Sequence, residues 1–219
     1  MISALTVVSA PAVEPVSVET AMAHARVDSD SAGLLPLYIA TARAWAETFL
    51  ARVLITQTLR WTIGPGAPTQ GPGMGLVPLT APATLLAPGT LLVPPLGFAW
   101  PPRSPLELPR NPVQSIASVK LGGLGITETT LAPTDYDSDL ATEPARMQLK
   151  AAGQPFPLQR LTVDFVAGYG DSGDAVPAPI RHAILLLVAN LYENRGDAGG
   201  EMPATAERLL WPYRIVGFG

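Results

Sequence analysis

Three short segments and two histidines carry residue types that could do chemistry. Gly170-Asp171-Ser172-Gly173 has the form in which a serine nucleophile is presented, and His24, within Thr20-Ala21-Met22-Ala23-His24, is a candidate base. That chemistry needs the Ser172 hydroxyl within hydrogen-bond reach of an imidazole, beside donors for an oxyanion. Two features oppose it. Asp174 stands where a second glycine would be wanted, and His24 falls on a segment patterned as an amphipathic helix. The simpler reading is a polar turn between a strand and a helix.

Asp135-Tyr136-Asp137-Ser138-Asp139 begins like a calcium loop. Leu140 then occupies the position that needs glycine, and Arg146 the position of the bidentate Glu, so the segment reads as a loop between strands. His24 and His182 are the only histidines, with no second ligand at metal-binding spacing nearby in sequence. Cysteine is absent, which removes thiol nucleophiles and disulfides. Gly71-Pro72-Gly73-Met74-Gly75 lacks the lysine and following helix of a phosphate loop. No catalytic, cofactor-binding or metal-binding residue is expected. The alternative is a soluble hydrolase or accessory enzyme using Ser172 or His182.

The elements around these segments follow from periodicity. Ser17 is a good N-cap for a first helix, with Glu19 well placed against its dipole. Leu35, Tyr38, Ile39, Ala42, Trp45, Ala46, Phe49, Leu50 and Val53 recur at helical spacing, with Pro36 near the start and Arg43 and Glu47 on the opposite face. Leu54 to Ile63 is rich in β-branched residues and reads as a strand. Further strands are expected at Val113–Leu121, Ile126–Leu131, Arg146–Lys150 and Leu161–Val166. A last long helix follows Pro177. Leu185 and Leu186 extend its apolar surface nearly all round, so it must be buried on more than one side.

Charged residues make up 15% of the 219-residue chain and hydrophobic ones 47%, which excludes wholesale disorder. A net charge of −4 supplies no basic footprint for a dedicated nucleic-acid binder. The longest unbroken apolar run, Ala183 to Ala189, is far short of the ~20 residues that span a bilayer, so no membrane partner is expected. The first residues have no basic group ahead of their apolar stretch, unlike a secretory signal.

The anomaly lies between Gly64 and Pro112, which holds 13 of the 24 prolines. From Gly64 to Pro102 no charged residue or histidine occurs, while Leu91, Leu92, Phe98 and Trp100 are large and apolar. Prolines at this density exclude helix and confine strands to edges. An apolar surface of this kind asks for a cover, either a neighbouring chain or its own domain.

Several segments, taken in order, resemble the head–tail connector (adaptor) family of tailed bacteriophages and phage-derived gene transfer agents. They are Val16 to Asp28, Ala42 to Thr58, Leu108-Pro109-Arg110-Asn111-Pro112-Val113-Gln114-Ser115-Ile116, Asp135-Tyr136, and Val163 to Arg195 with Ala167-Gly168-Tyr169-Gly170-Asp171. Leu209-Leu210 and Pro212-Tyr213-Arg214 close the match. The 64–105 segment is longer and richer in proline than the family pattern, and twelve Arg against two Lys fits a GC-rich bacterial source.

The resemblance implies an α+β, mainly helical fold: a small helical bundle with an inserted Pro-rich β or extended region. It implies a non-enzymatic, homo-oligomeric ring, twelve-fold to match the portal, placed between the portal and the head-closure (stopper) or tail protein. DNA would be passive cargo in the lumen. The site would be the particle neck, reached from the host cytoplasm during assembly. The expected organisation is an extended arm (1–16), a first core part with a strand (17–63), the insertion (64–112), short strands (113–170), a second core part (171–211) and a docking tail (212–219). Expected interface residues are Leu91, Leu92, Phe98, Trp100, Leu185, Leu186, Trp211, Tyr213, Arg214, Ile215 and Phe218.

Overall fold

The computed structural model describes residues 2–27, 33–64, 105–123, 126–150, 160–194 and 202–215. Four helices form one half. Helix α1 (Val18–Ala25) is capped as its sequence predicts: the Ser17 hydroxyl accepts the Thr20 N–H at 3.2 Å, satisfying an amide that a helix start leaves open. Helix α2 (Leu35–Leu50) has Pro36 in its first turn. It closes through a left-handed Ala51, whose N–H bonds the Thr48 carbonyl while the Arg52 N–H returns to Glu47. Helix α3 (Ala178–Glu193) has Pro179 in its first turn, and α4 (Ala204–Leu210) runs into a short 3-10 turn, Trp211–Tyr213.

The buried residues of α2, Leu35, Ile39, Ala42, Ala46 and Leu50, advance by three or four and meet Ile180, Ala183, Ile184, Leu187 and Val188 of α3. Alanines on both sides let the axes approach. Each fully buried Leu or Ile contributes roughly 1.5–3 kcal/mol, so this seam dominates the helical half. Leu54 and Ile55 belong to the same cluster.

The expectation of a mainly helical bundle is overturned. Among the described residues helix makes up 38% and strand 35%, and their eight strands form two antiparallel sheets. The larger sheet has the order β1-β2-β8-β4-β5, from β1 (Ile2–Ser9), β2 (Gln57–Gly64), β4 (Val113–Gly123), β5 (Ile126–Thr130) and β8 (Arg160–Ala167). The smaller joins β3 (Leu106–Glu107), β7 (Arg146–Leu149) and β6 (Tyr136–Asp139). Strand is therefore nearly as abundant as helix among the described residues, and most of the expected Pro-rich insertion (64–112) lies outside them. Strand pairing is non-local: β8 lies between β2 and β4, a hundred and fifty residues after the β1 that frames the same sheet, and no local pattern announces that.

Tyr136–Asp139, read from sequence as a loop, is a strand paired residue for residue with β7. Its alternating Asp residues sit on an exposed edge, where charge is tolerated. Between the sheets lies a second core of Leu59, Trp61, Ile63, Val119, Leu121, Leu161, Val163 and Phe165 from the large sheet, with Leu106, Met147 and Leu149 from the small one.

The two halves meet where residues 54–56 cross 168–170. Tyr169 N–H bonds the Leu54 carbonyl at 3.1 Å and Thr56 N–H the Gly170 carbonyl at 3.0 Å. Gly168 has φ +138°, and a Cβ there would fall 2.5 Å from the Thr56 nitrogen and 2.6 Å from the Ile55 carbonyl carbon. Only glycine allows two backbones this close.

Candidate interaction surface

The end of α2 organises the surface that the C-terminal segment reaches. Arg52 is only 8% exposed. Its Nη1 donates to Glu143 Oε1 at 2.8 Å, Nη2 to Glu143 Oε2, and Nε to the Tyr213 carbonyl, while its guanidinium lies 5.9 Å from the Tyr169 ring centre. Burial is offset by a two-point carboxylate fork and a main-chain acceptor, the pattern a buried arginine requires. Arg52 holds the Glu143 carboxyl below its usual range, and burial pushes the Tyr169 phenol up.

Ile215 N–H returns to the Leu50 carbonyl at 3.0 Å, so the chain beyond α4 is tied to its own α2 by main-chain bonds at Tyr213 and Ile215. The side chains between and beside them face outward. Trp211 is 56% exposed and tilts against Phe49 at 6.3 Å between ring centres. The Arg214 guanidinium lies 5.1 Å from the Phe49 centroid and 5.5 Å from that of Trp211. This aromatic–guanidinium stack presents an exposed, amphipathic contact of the kind that anchors interfaces. Tyr213 and Ile215 are half-buried, and Tyr213 packs on the helical core.

Leu185 and Leu186 are half-buried against the same core. Leu91, Leu92, Phe98, Trp100 and Phe218 lie outside the described residues.

A pocket of about 510 Å³ opens between the arm, the start of α1 and the start of α3, lined by Glu14, Ser17, Thr20, Asp174, Arg181 and His182 among others. His182 of this lining meets His24, 158 positions away in sequence, edge to face with ring centres 6.0 Å apart. Ser172 is exposed and opens the 3-10 turn Gly173–Ala175 without a side-chain hydrogen bond. The contact that the structure gives His182 is with His24, not with Ser172. The turn reading of residues 170–173 holds. Arg181 donates to Asp174 at 2.7 Å, and its buried Nε has no partner among the described residues.

A second ionic knot joins the arm to α2. Arg43 donates to Glu14 at 2.7 Å and to Glu47 at 3.2 Å, and Glu47 also accepts the Leu54 N–H at 2.9 Å. Burial nevertheless pushes the Glu47 carboxyl up. On the large sheet Arg60 grips Asp164 at 2.7 and 3.0 Å and, with Ser118, holds that carboxyl down. Sequence reasoning found the Arg43–Glu47 spacing. It had no signal for Arg52–Glu143 or Arg60–Asp164, whose partners are brought together only by the fold.

Among the described residues no group of three His, Cys, Asp or Glu could hold a metal ion, and no helix is long and apolar enough to cross a membrane. Residues 3–9 of the arm strand β1 are exposed, with Val7 57%, Val8 53% and Leu5 36% accessible.

No family profile and no curated protein sequence matches the chain. Solved structures do. A chain in the neck of an empty gene transfer agent particle, computed with C6 symmetry, superimposes with a TM-score of 0.66 at 24% identity, over 98% of this chain and 96% of that one. A chain of the native gene transfer agent virion gives 0.65 at 24%, over 97% and 96%. A chain in the native particle neck, computed with C12 symmetry, gives 0.62 at 25%, over 98% and 96%. The chain has the fold of a gene transfer agent neck protein. Near-complete coverage in both directions means that this neck-type fold includes the sheets as well as the helices. The resemblance read from Val16 to Arg214 is thereby supported, and the part of it that implied a mainly helical bundle is replaced by the mixed architecture above.

Proposed function

We propose that this chain is a structural component of the neck of a phage-like particle. In this reading it forms a ring between the portal and the head-closure or tail protein and extends the DNA channel. The observation that carries it is the full-length match to chains from gene transfer agent necks computed with C6 and C12 symmetry. A ring of identical copies, twelve-fold where it meets a twelve-fold portal, is the arrangement that such symmetry suits. Docking to the neighbouring proteins is assigned to the Trp211–Arg214 stack, Tyr213, Ile215 and Phe218. Leu185, Leu186 and the apolar 64–105 segment, with Leu91, Leu92, Phe98 and Trp100, supply further contacts.

DNA passes without being gripped. A net charge of −4 is compatible with a lumen that does not hold phosphates, and the arginines 43, 52, 60, 146, 160 and 181 are each engaged with a carboxylate of the same chain. The neck role is mechanical, and no residue is assigned to catalysis.

Affinity isolation of the tagged chain from a particle-producing lysate, followed by mass spectrometry and negative-stain imaging, tests this reading. Recovery of portal rings or head–tail necks is the expected result. Recovery of free chain alone, or of a metabolic enzyme complex, overturns it.

A further inference from the structure

The ring reading leaves open which surfaces join one copy to the next, and the large sheet has two that are unused. Among the described residues strand β1 pairs with β2 on one side only, and no strand pairs with its outer edge. Leu5 lies opposite Trp61 and Val7 opposite Leu59, so both share the sheet face that is buried one strand further in. Val7 is nevertheless 57% exposed. No charged residue occurs from Ile2 to Val13, and the strand itself contains no proline. Folded proteins blunt such edges with charge, proline or bulges; β1 has a single irregularity between Val7 and Ser9.

At the opposite margin β5 pairs, among the described residues, only with β4. Thr127, Thr129 and Thr130 are β-branched and exposed, and the one charge, Glu128, is met by Arg160 at 3.4 Å. Neither edge brings an unanswered charge to a contact.

We infer that β1 of one copy adds to the β5 edge of the next, joining the large sheets edge to edge around the ring. This rests on the ring reading. A closing ring contact is head-to-tail and uses two different surfaces of each chain, which two opposite edges of one sheet supply. Main-chain hydrogen bonds give the pairing its strength. The neighbouring copy also covers the apolar side of Leu5 and Val7.

The chain has no cysteine, so introduced thiols report without background. Within one chain β1 and β5 are separated by four strand spacings, about 19 Å. A disulfide needs Cα atoms within about 7 Å, so any bridge between these strands is intermolecular. The double variants Val7→Cys/Thr129→Cys and Leu5→Cys/Thr129→Cys, whose positions share one sheet face, are assembled into particles. Each is then oxidised or treated with a short bismaleimide. Most of the chain should shift into a ladder of covalent multimers, while either single variant should give no ladder. Particles that contain both double variants yet yield only monomer overturn the inference. So does Val7→Cys alone cross-linking to a different particle protein, because that edge is then taken by a partner. Double variants that fail to enter particles, while the single variants do enter and Val7→Glu enters at the wild-type level, also overturn it. Absence of the wild-type chain from particles overturns the ring reading itself.

Discussion

Arg52 and Glu143, 91 positions apart, form a two-bond fork that ties the end of α2 to the turn before β7. The same guanidinium holds the Tyr213 carbonyl, so one side chain joins the helical half, the small sheet and the C-terminal segment. Arg52→Ala should destabilise the fold by about 2–3 kcal/mol, below the ~3–5 kcal/mol of a fully buried broken pair, because Glu143 is partly exposed and regains water. Denaturant unfolding measures this. A loss under 1 kcal/mol would show that the fork contributes little.

The pH dependence of stability follows from the same pair. Arg52 lowers the folded-state Glu143 value below 4.5, and Arg60 lowers that of Asp164 below 3.8. A depressed carboxylate contributes its full stabilisation above its unfolded value and loses it as pH falls through the folded one. Glu47 is raised by burial, so its ionised form costs stability at neutral pH and acidification relieves that cost. Stability should therefore fall below pH ~4.5, the unperturbed glutamate range. Glu143→Gln should flatten that fall, and Glu47→Gln should not. Thermal melts from pH 3 to 7 decide it.

Ala51 closes α2 at φ 54°, a left-handed position that costs an L-residue about 1 kcal/mol and glycine almost nothing. Ala51→Gly should raise stability by a few tenths to about 1 kcal/mol, the gain being trimmed by the freedom glycine adds to the unfolded chain. A lower melting temperature would contradict the assignment of strain.

Gly168→Ala should do the opposite. Its Cβ meets backbone atoms of Ile55 and Thr56, which cannot swing aside as a side chain can. A loss of about 3 kcal/mol or more, seen as reduced soluble yield or a lower denaturation midpoint, is expected.

The C-terminal segment must be tested without cutting its structural ties. Truncation after Leu210 would remove the acceptor of Arg52 and the bond from Ile215 to Leu50, and so confound docking with stability. Trp211→Ala removes a side chain that is more than half exposed, so stability should change by less than about 1 kcal/mol while docking weakens. Ser172→Ala should leave both unchanged. Retained particle assembly by Trp211→Ala would remove that residue from the interface.

The sequence is informative where the physics is local. Ser17 as a cap, Pro36 and Pro179 in first turns, and the spacing of Leu35 to Leu50 each depend on residues within a turn or two. Most strand segments are equally visible from their β-branched content. What lay hidden was their assembly: β8 between β2 and β4, and β1 on the margin. That order is set by which apolar faces meet, which no window of sequence contains. The Asp residues of β6 look like a loop because an edge strand can carry loop-like composition. The His24–His182 contact is likewise invisible until α1 and α3 are packed together.

A neck protein sits at one place in the particle. Purified particles carrying an epitope-tagged chain, labelled with gold-conjugated antibody and imaged by electron microscopy, test it most directly. Label confined to the junction of head and tail is the expected result. Label on the shell or tail tip, or particles free of the chain, would contradict it.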